Sequence, residues 1–160
     1  MTDGLDGERV VREQAVDRAA ELAESHREAG WDALALQPAN VVPIPVGPDT
    51  GEDRPADADV GISFLLPPQE FALLADLLES DPDSEVVRGG RGEHAAVVVT
   101  LSNESTGGAL VIPLWFHEPT AGAMARAARD RGQLDLLVRL PDADRQLRVP
   151  LNPDAVLDEA

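Results

Sequence analysis

Three histidines, His26, His94 and His117, are the only side chains in the sequence whose ordinary pKa lies near neutrality. His117 stands in the run Trp115-Phe116-His117-Glu118, where an apolar stretch gives way to Pro119. A strand passing into a helix start is a common place for a ligand. There Trp115 can wall a small-molecule pocket, His117 can give or take a proton, and Glu118 can accept a hydrogen bond. Packing competes with that reading, because aromatic side chains dominate core burial and His117 can be a plain helix-entry residue.

A second cluster is Arg88-Gly89-Gly90-Arg91, followed by Gly92. Its backbone can curl into an anion-binding nest, and the same residues also suit a glycine-rich hairpin turn. Arg126, Arg129 and Arg131 can steer an anion toward the first cluster, but Asp130 and Glu118 are ready partners for them. His26 falls near a helix C-terminus, where it complements the dipole.

The missing residue types remove whole mechanisms. All thirteen basic residues are arginine, and lysine, cysteine and tyrosine are absent. Without lysine there is no Walker A loop and no Schiff base, and without cysteine there is no disulfide, thiolate metal site or thiol nucleophile. No G-x-S-x-G, H-E-x-x-H or helix-opening G-x-G-x-x-G occurs. The histidines have no short-range pair, so no metal ligands, no cofactor and no catalytic residues are assigned. The expectation leans away from an enzyme.

Thirty acidic residues against thirteen basic ones give a formal charge of −17 over 160 residues. Self-repulsion of that size opposes compaction in dilute buffer. At about 1 M salt the Debye length is roughly 3 Å and the repulsion is screened. The composition therefore predicts a salt-adapted protein. It disfavours nucleic acid and anionic membrane surfaces as partners. No run of about 18 apolar residues exists, and the start MTDGLDGERV is unlike a signal peptide, so a cytoplasmic location is expected.

The elements that would position these residues follow from periodicity. Leu5 to Ala29 reads as one long amphipathic helix, with Val11, Ala15, Ala19, Leu22, His26 and Ala29 on one stripe. Glu13, Asp17, Glu21, Glu24 and Glu28 form an acidic ridge opposite it. Trp31 onward is a short strand, and Pro43 and Pro45 make the next stretch an edge or an extended loop. Residues 47–59 read as an acidic flexible loop. Val60–Leu66 alternates as a strand, and Pro67-Pro68 opens a helix with Phe71, Leu74 and Leu78 inward, widened by Leu73 and Leu77.

The centre is the stretch 95–117, two apolar runs around Ser102-Asn103-Glu104-Ser105-Thr106-Gly107, read as a hairpin. Its first strand is apolar on both faces, as a strand covered on both sides should be. Pro113 lacks a ladder donor, so the second strand is at an edge or a bulge there. An alanine-faced helix from Pro119 to about Arg131 is long enough for a βαβ crossover. Leu134–Leu140 and Arg145–Leu151 close the sheet, the latter an edge that can mediate a homodimer, and residues 152–160 read as a frayed tail.

These elements predict one α+β domain over residues 1–160. It has a mixed, mainly antiparallel sheet of about five to six strands and two to three helices. The order of a helix, then GWDALALQP, then VVVTLSN and GGALVIPLWF, resembles an uncharacterised family of haloarchaeal proteins. That resemblance implies origin and a single-domain architecture, and carries no activity. The function expected is a non-enzymatic module that binds a protein, as a monomer or homodimer. The alternative is a small-molecule pocket near Trp115, His117 and Glu118.

Overall fold

The computed structural model describes residues 3–51, 58–141 and 144–157, with side chains from Gly7 onward. Helix α1 spans Asp3–Glu28. Strands β1 (Asp32–Ala35), β2 (Ala39–Ile44) and β3 (Gly61–Leu65) follow, then helix α2 (Pro68–Glu79). Next come β4 (Asp83–Arg91), β5 (His94–Asn103) and β6 (Gly108–His117). A 3-10 turn at Pro119–Ala121 leads into α3 (Gly122–Arg131), and β7 (Leu134–Arg139), β8 (Gln146–Leu151) and α4 (Pro153–Val156) complete the chain.

The fold is α+β, but the strands form two sheets of four, ordered β1-β6-β5-β4 and β2-β3-β7-β8, instead of one sheet of five to six. The ladders β1–β6 and β3–β7 are parallel and the others antiparallel. The single-sheet expectation fails at residues 31–46. That stretch makes a strand in each sheet, divided at Gln37-Pro38, where the Gln37 N–H donates to Glu70 Oε1 at 2.7 Å. The alanine-faced crossover likewise joins β6 of the first sheet to β7 of the second, so it is not a βαβ unit within one sheet.

Alternation explains the layers. On β5 and β6 the larger side chains Val97, Val99, Leu101, Ile112, Leu114 and Phe116 turn one way. They share a core with Ile62 and Phe64 of β3 and Leu134, Leu136 and Val138 of β7. Each fully buried aliphatic or aromatic side chain there contributes about 1.5–3 kcal/mol. Helix α2 adds Phe71, Leu74 and Leu77 to this core, and α3 adds Ala121, Met124 and Ala128. Ala96, Val98, Ala109 and Val111 turn the other way, against α1. The hairpin is thus covered on both faces, as its sequence implies.

The stripe on α1 is Val11, Ala15, Ala19 and Ala23, all essentially inaccessible. Leu22 and His26 are only half-buried and Ala29 is exposed. A strict spacing of four drifts about 40° per step, which rotates the contact face toward Ala23. Small side chains let the helix approach the sheet but bury little apolar area. Most of the stability therefore resides in the inner core. All five acidic residues of the ridge are exposed.

Two local features test the chain's punctuation. The Val111 carbonyl accepts from the Leu36 N–H at 2.8 Å, so odd-numbered positions of β6 face β1. Pro113 faces that same side, past the end of β1, where no ladder donor is needed. At Gly61 the backbone of β3 lies so close to β7 that a Cβ would collide with the Asp135 carbonyl.

Within the tail, residues Pro153–Val156 form a helical turn. Pro153 opens it, the Asp154 N–H donates to the Asn152 side chain at 3.0 Å, and Val156 and Leu157 enter the core. Of the expected acidic loop, residues 52–57 lie outside the described residues, as do 158–160 of the tail. Among the described residues no helix is long and apolar enough to cross a membrane.

Candidate functional site

The strand alternation of β6 splits the expected Trp115, His117 and Glu118 cluster. Trp115 packs on the α1 side, against Val11, Ala15 and Ala96. His117 lies between the Thr120 hydroxyl, 2.7 Å from Nδ1, and Glu93 Oε2, 3.2 Å from Nε2. This suits an imidazole whose Nε2–H donates to the carboxylate while Nδ1 accepts from the hydroxyl. His94, opposite in register, places its ring centroid 4.9 Å away. Gly7 of α1 closes over His94, where a Cβ would come within 2.9 Å of its Nδ1. Glu118 leaves in another direction.

Glu118 instead meets the second sequence cluster. Arg88 Nη2 donates to Glu118 Oε1 at 2.5 Å, and Nη1 donates to the Val156 carbonyl at 2.8 Å. The guanidinium lies 6.0 Å from the centroid of the Phe116 ring, within cation–π range. Two separately noted motifs are therefore joined through one residue of each. Residues 88–91 form no turn or nest: all four belong to β4 and pair with Ala95–Val97 and His94, leaving the turn to Gly92 and Glu93. Gly90 is required because a Cβ would strike the His94 carbonyl. Gly89 is open, and Arg91 is exposed at the strand end.

Around this pair is a groove of about 310 Å³, lined among others by Arg88, Phe116, Glu118, Asp49, Arg126 and Arg129. Its charges largely satisfy one another. Arg126 reaches Asp49 at 3.2 Å and Asp130 at 3.8 Å. The Gly51 N–H donates to Asp49 at 2.9 Å and, helped by Arg126, holds that carboxyl below its ordinary pKa. The N-terminus of α3 is capped by the chain itself: the Ala123 N–H donates to the Gly47 carbonyl at 3.0 Å. Residues 47–51 strap across it so tightly that a Cβ on Gly122 would lie 2.8 Å from the Asp49 nitrogen.

His26 stands apart from the other two histidines. Its Nδ1 is 2.8 Å from the Leu22 carbonyl and its ring is edge-on to Trp31 at 6.0 Å. Among the described residues no three His, Asp or Glu side chains gather as metal ligands.

Sequence reasoning missed a second groove, at the other end of the hairpin, of about 390 Å³. It lies between β1 and α2. Leu77, Ala109 and Leu110 line it together with Leu34 and Leu73, which are 38% and 45% exposed. Asp32 and Asp76 also line it, and among the described residues no cationic side chain does. The signal was present in two places: α2 carries more leucines than one buried stripe needs, and Leu34 shares the strand face of the buried Leu36.

The molecule is thus an α+β protein in which a groove of paired charges lies at one end of the hairpin and an apolar groove at the other. The chain belongs to a family of unknown function, DUF7529, whose model matches residues 2–150 and so spans both sheets. No curated protein and no solved structure matches it.

Proposed function

We propose that the chain is a non-catalytic, salt-adapted cytosolic protein, of haloarchaeal origin, that works by docking another protein. The observation that carries this reading is the apolar groove between β1 and α2. Two leucines at its rim, Leu34 and Leu73, are exposed to solvent. Contiguous exposed apolar surface of this kind marks interaction sites. The salt adaptation rests on the charge of −17 and the exposed acidic ridge of α1.

A small-molecule reading of the Arg88–Glu118 groove has Phe116 and three arginines in its favour. Against it, the guanidiniums of Arg88 and Arg126 already have carboxylate or carbonyl partners, so a ligand must displace internal bonds.

The test uses the full chain as bait in molar KCl beside a Leu34→Glu/Leu73→Glu double variant. A partner recovered by the parent and lost by a variant with an unchanged melting curve supports docking at this groove. The same partners on both would overturn it. Equal melting temperatures in dilute buffer and in molar KCl would overturn salt adaptation.

A further inference from the structure

We infer that the segment received by the β1–α2 groove carries aliphatic side chains beside arginine or lysine, which Asp32 and Asp76 meet at the rim. This rests on the docking reading above and adds the chemistry of the partner. The charge pattern of the groove is one-sided. Asp32 and Asp76 line it without any arginine or histidine. Neither carboxylate makes a hydrogen bond or ion pair among the described residues. In the other groove the lining carboxylates are paired: Glu118 with Arg88 and Asp49 with Arg126. The apolar groove is the place where carboxylates border a concavity with their partners left to be supplied from outside.

The mode of engagement is also constrained. β1 is the last strand of its sheet, which makes strand addition the obvious alternative. That edge is already blunted. Arg27 Nε donates to the Ala33 carbonyl at 2.8 Å, and Glu70 takes the Gln37 N–H just beyond the strand. With part of that edge taken, the groove favours an occupant that binds through side chains laid into it, as an amphipathic helix does, over one that adds a backbone ladder. A second copy of this chain is a poor occupant, since it has no lysine and its acidic side chains outnumber its arginines thirty to thirteen, so few of its surfaces could set cations against the rim.

Salt sharpens the inference. At about 1 M the Debye length is roughly 3 Å, so the overall negative charge cannot attract a cationic partner from a distance. Only carboxylates in contact with the bound cation still discriminate, and the two at the groove are so placed.

The experiment measures binding of three labelled amphipathic peptides of one length to the full chain in molar KCl. All share the same leucines, and the polar positions are arginine, glutamine or glutamate. A leucine-free arginine peptide serves as control. The arginine peptide should bind at least about tenfold tighter than the glutamine peptide, a difference of about 1.4 kcal/mol. The glutamate peptide should bind weakest and the leucine-free control not at all. In Asp32→Asn/Asp76→Asn the arginine and glutamine peptides should bind alike, with the glutamine peptide unchanged. Equal binding of both by the parent protein, or a preference that survives the double variant, overturns the cation inference and leaves the groove standing. If no leucine peptide binds a protein with an intact melting curve, docking at this groove falls, and this inference with it.

Discussion

The two ends of the β5–β6 hairpin differ in what they leave undone. Where β6 ends, Arg88, Glu118, Arg126 and Asp49 bond to one another and to the Val156 carbonyl, and the strap at 47–51 caps the helix below them. Where β6 begins, Leu34 and Leu73 face solvent over an apolar floor, and no cation among the described residues lines the groove beside Asp32 and Asp76. Both are concave and of similar volume, so shape does not distinguish them. Satisfaction does: one groove is held together by its own polar groups, and the other offers groups that a partner could complete.

The contrast makes different demands on stability. Arg88→Ala should lower stability by about 1.5–3 kcal/mol, because a charged donor is lost from the carbonyl of a fully buried Val156. The partly exposed ion pair to Glu118 is the lesser part, at most about 1 kcal/mol. Leu34→Ala at the other groove should change stability by less than about 0.5 kcal/mol. Thermal melts in molar KCl measure both, and equal losses would erase the distinction. Gly122→Ala should cost toward the low end of about 1–3 kcal/mol, since the surface strap can shift to admit a methyl group. Its signature is a melt loss together with faster amide exchange at Ala123.

The smallest effect concerns pH. Asp49 has a folded-state pKa below its ordinary value, so it adds stability above that ordinary value and loses it as the pH falls through the folded value. Asp49→Asn should melt slightly below the parent at neutral pH, and the two curves should converge in acid. A gap independent of pH would mean that the Gly51 and Arg126 contacts do not depend on the charge.

The hairpin, the long helix, α2 with its paired prolines and the terminal strands were legible because each announces itself through local periodicity. Pro113 was legible as an edge signal even though its strand lies inside the sheet. The division into two sheets was not, because nothing local to residues 31–46 records which distant strand each half joins. The same holds for the sites. The RGGR and WFHE motifs could each be noticed, but alternation turned Trp115 and His117 away from Glu118, and the antiparallel register brought Arg88 to Glu118 instead. The groove under Leu34 and Leu73 comes from two elements that are far apart in the chain, and only their packing makes it concave.

The two parallel ladders also set an order of events. Asp32 pairs with Gly108, and Gly61 pairs with Asp135, so each sheet joins a strand from the first half of the chain to one from the second. Closing such long loops is entropically costly and slow, whereas β4, β5 and β6 can zip up as neighbours. During synthesis the first sheet cannot be completed until β6 has left the ribosome, nor the second until β8 has. Helix α1 and strand β1 wait longest for their partner β6, whereas β2 can pair early with its neighbour β3. The meander β4–β5–β6, whose strands are neighbours in sequence, needs no such long closure before it can pair.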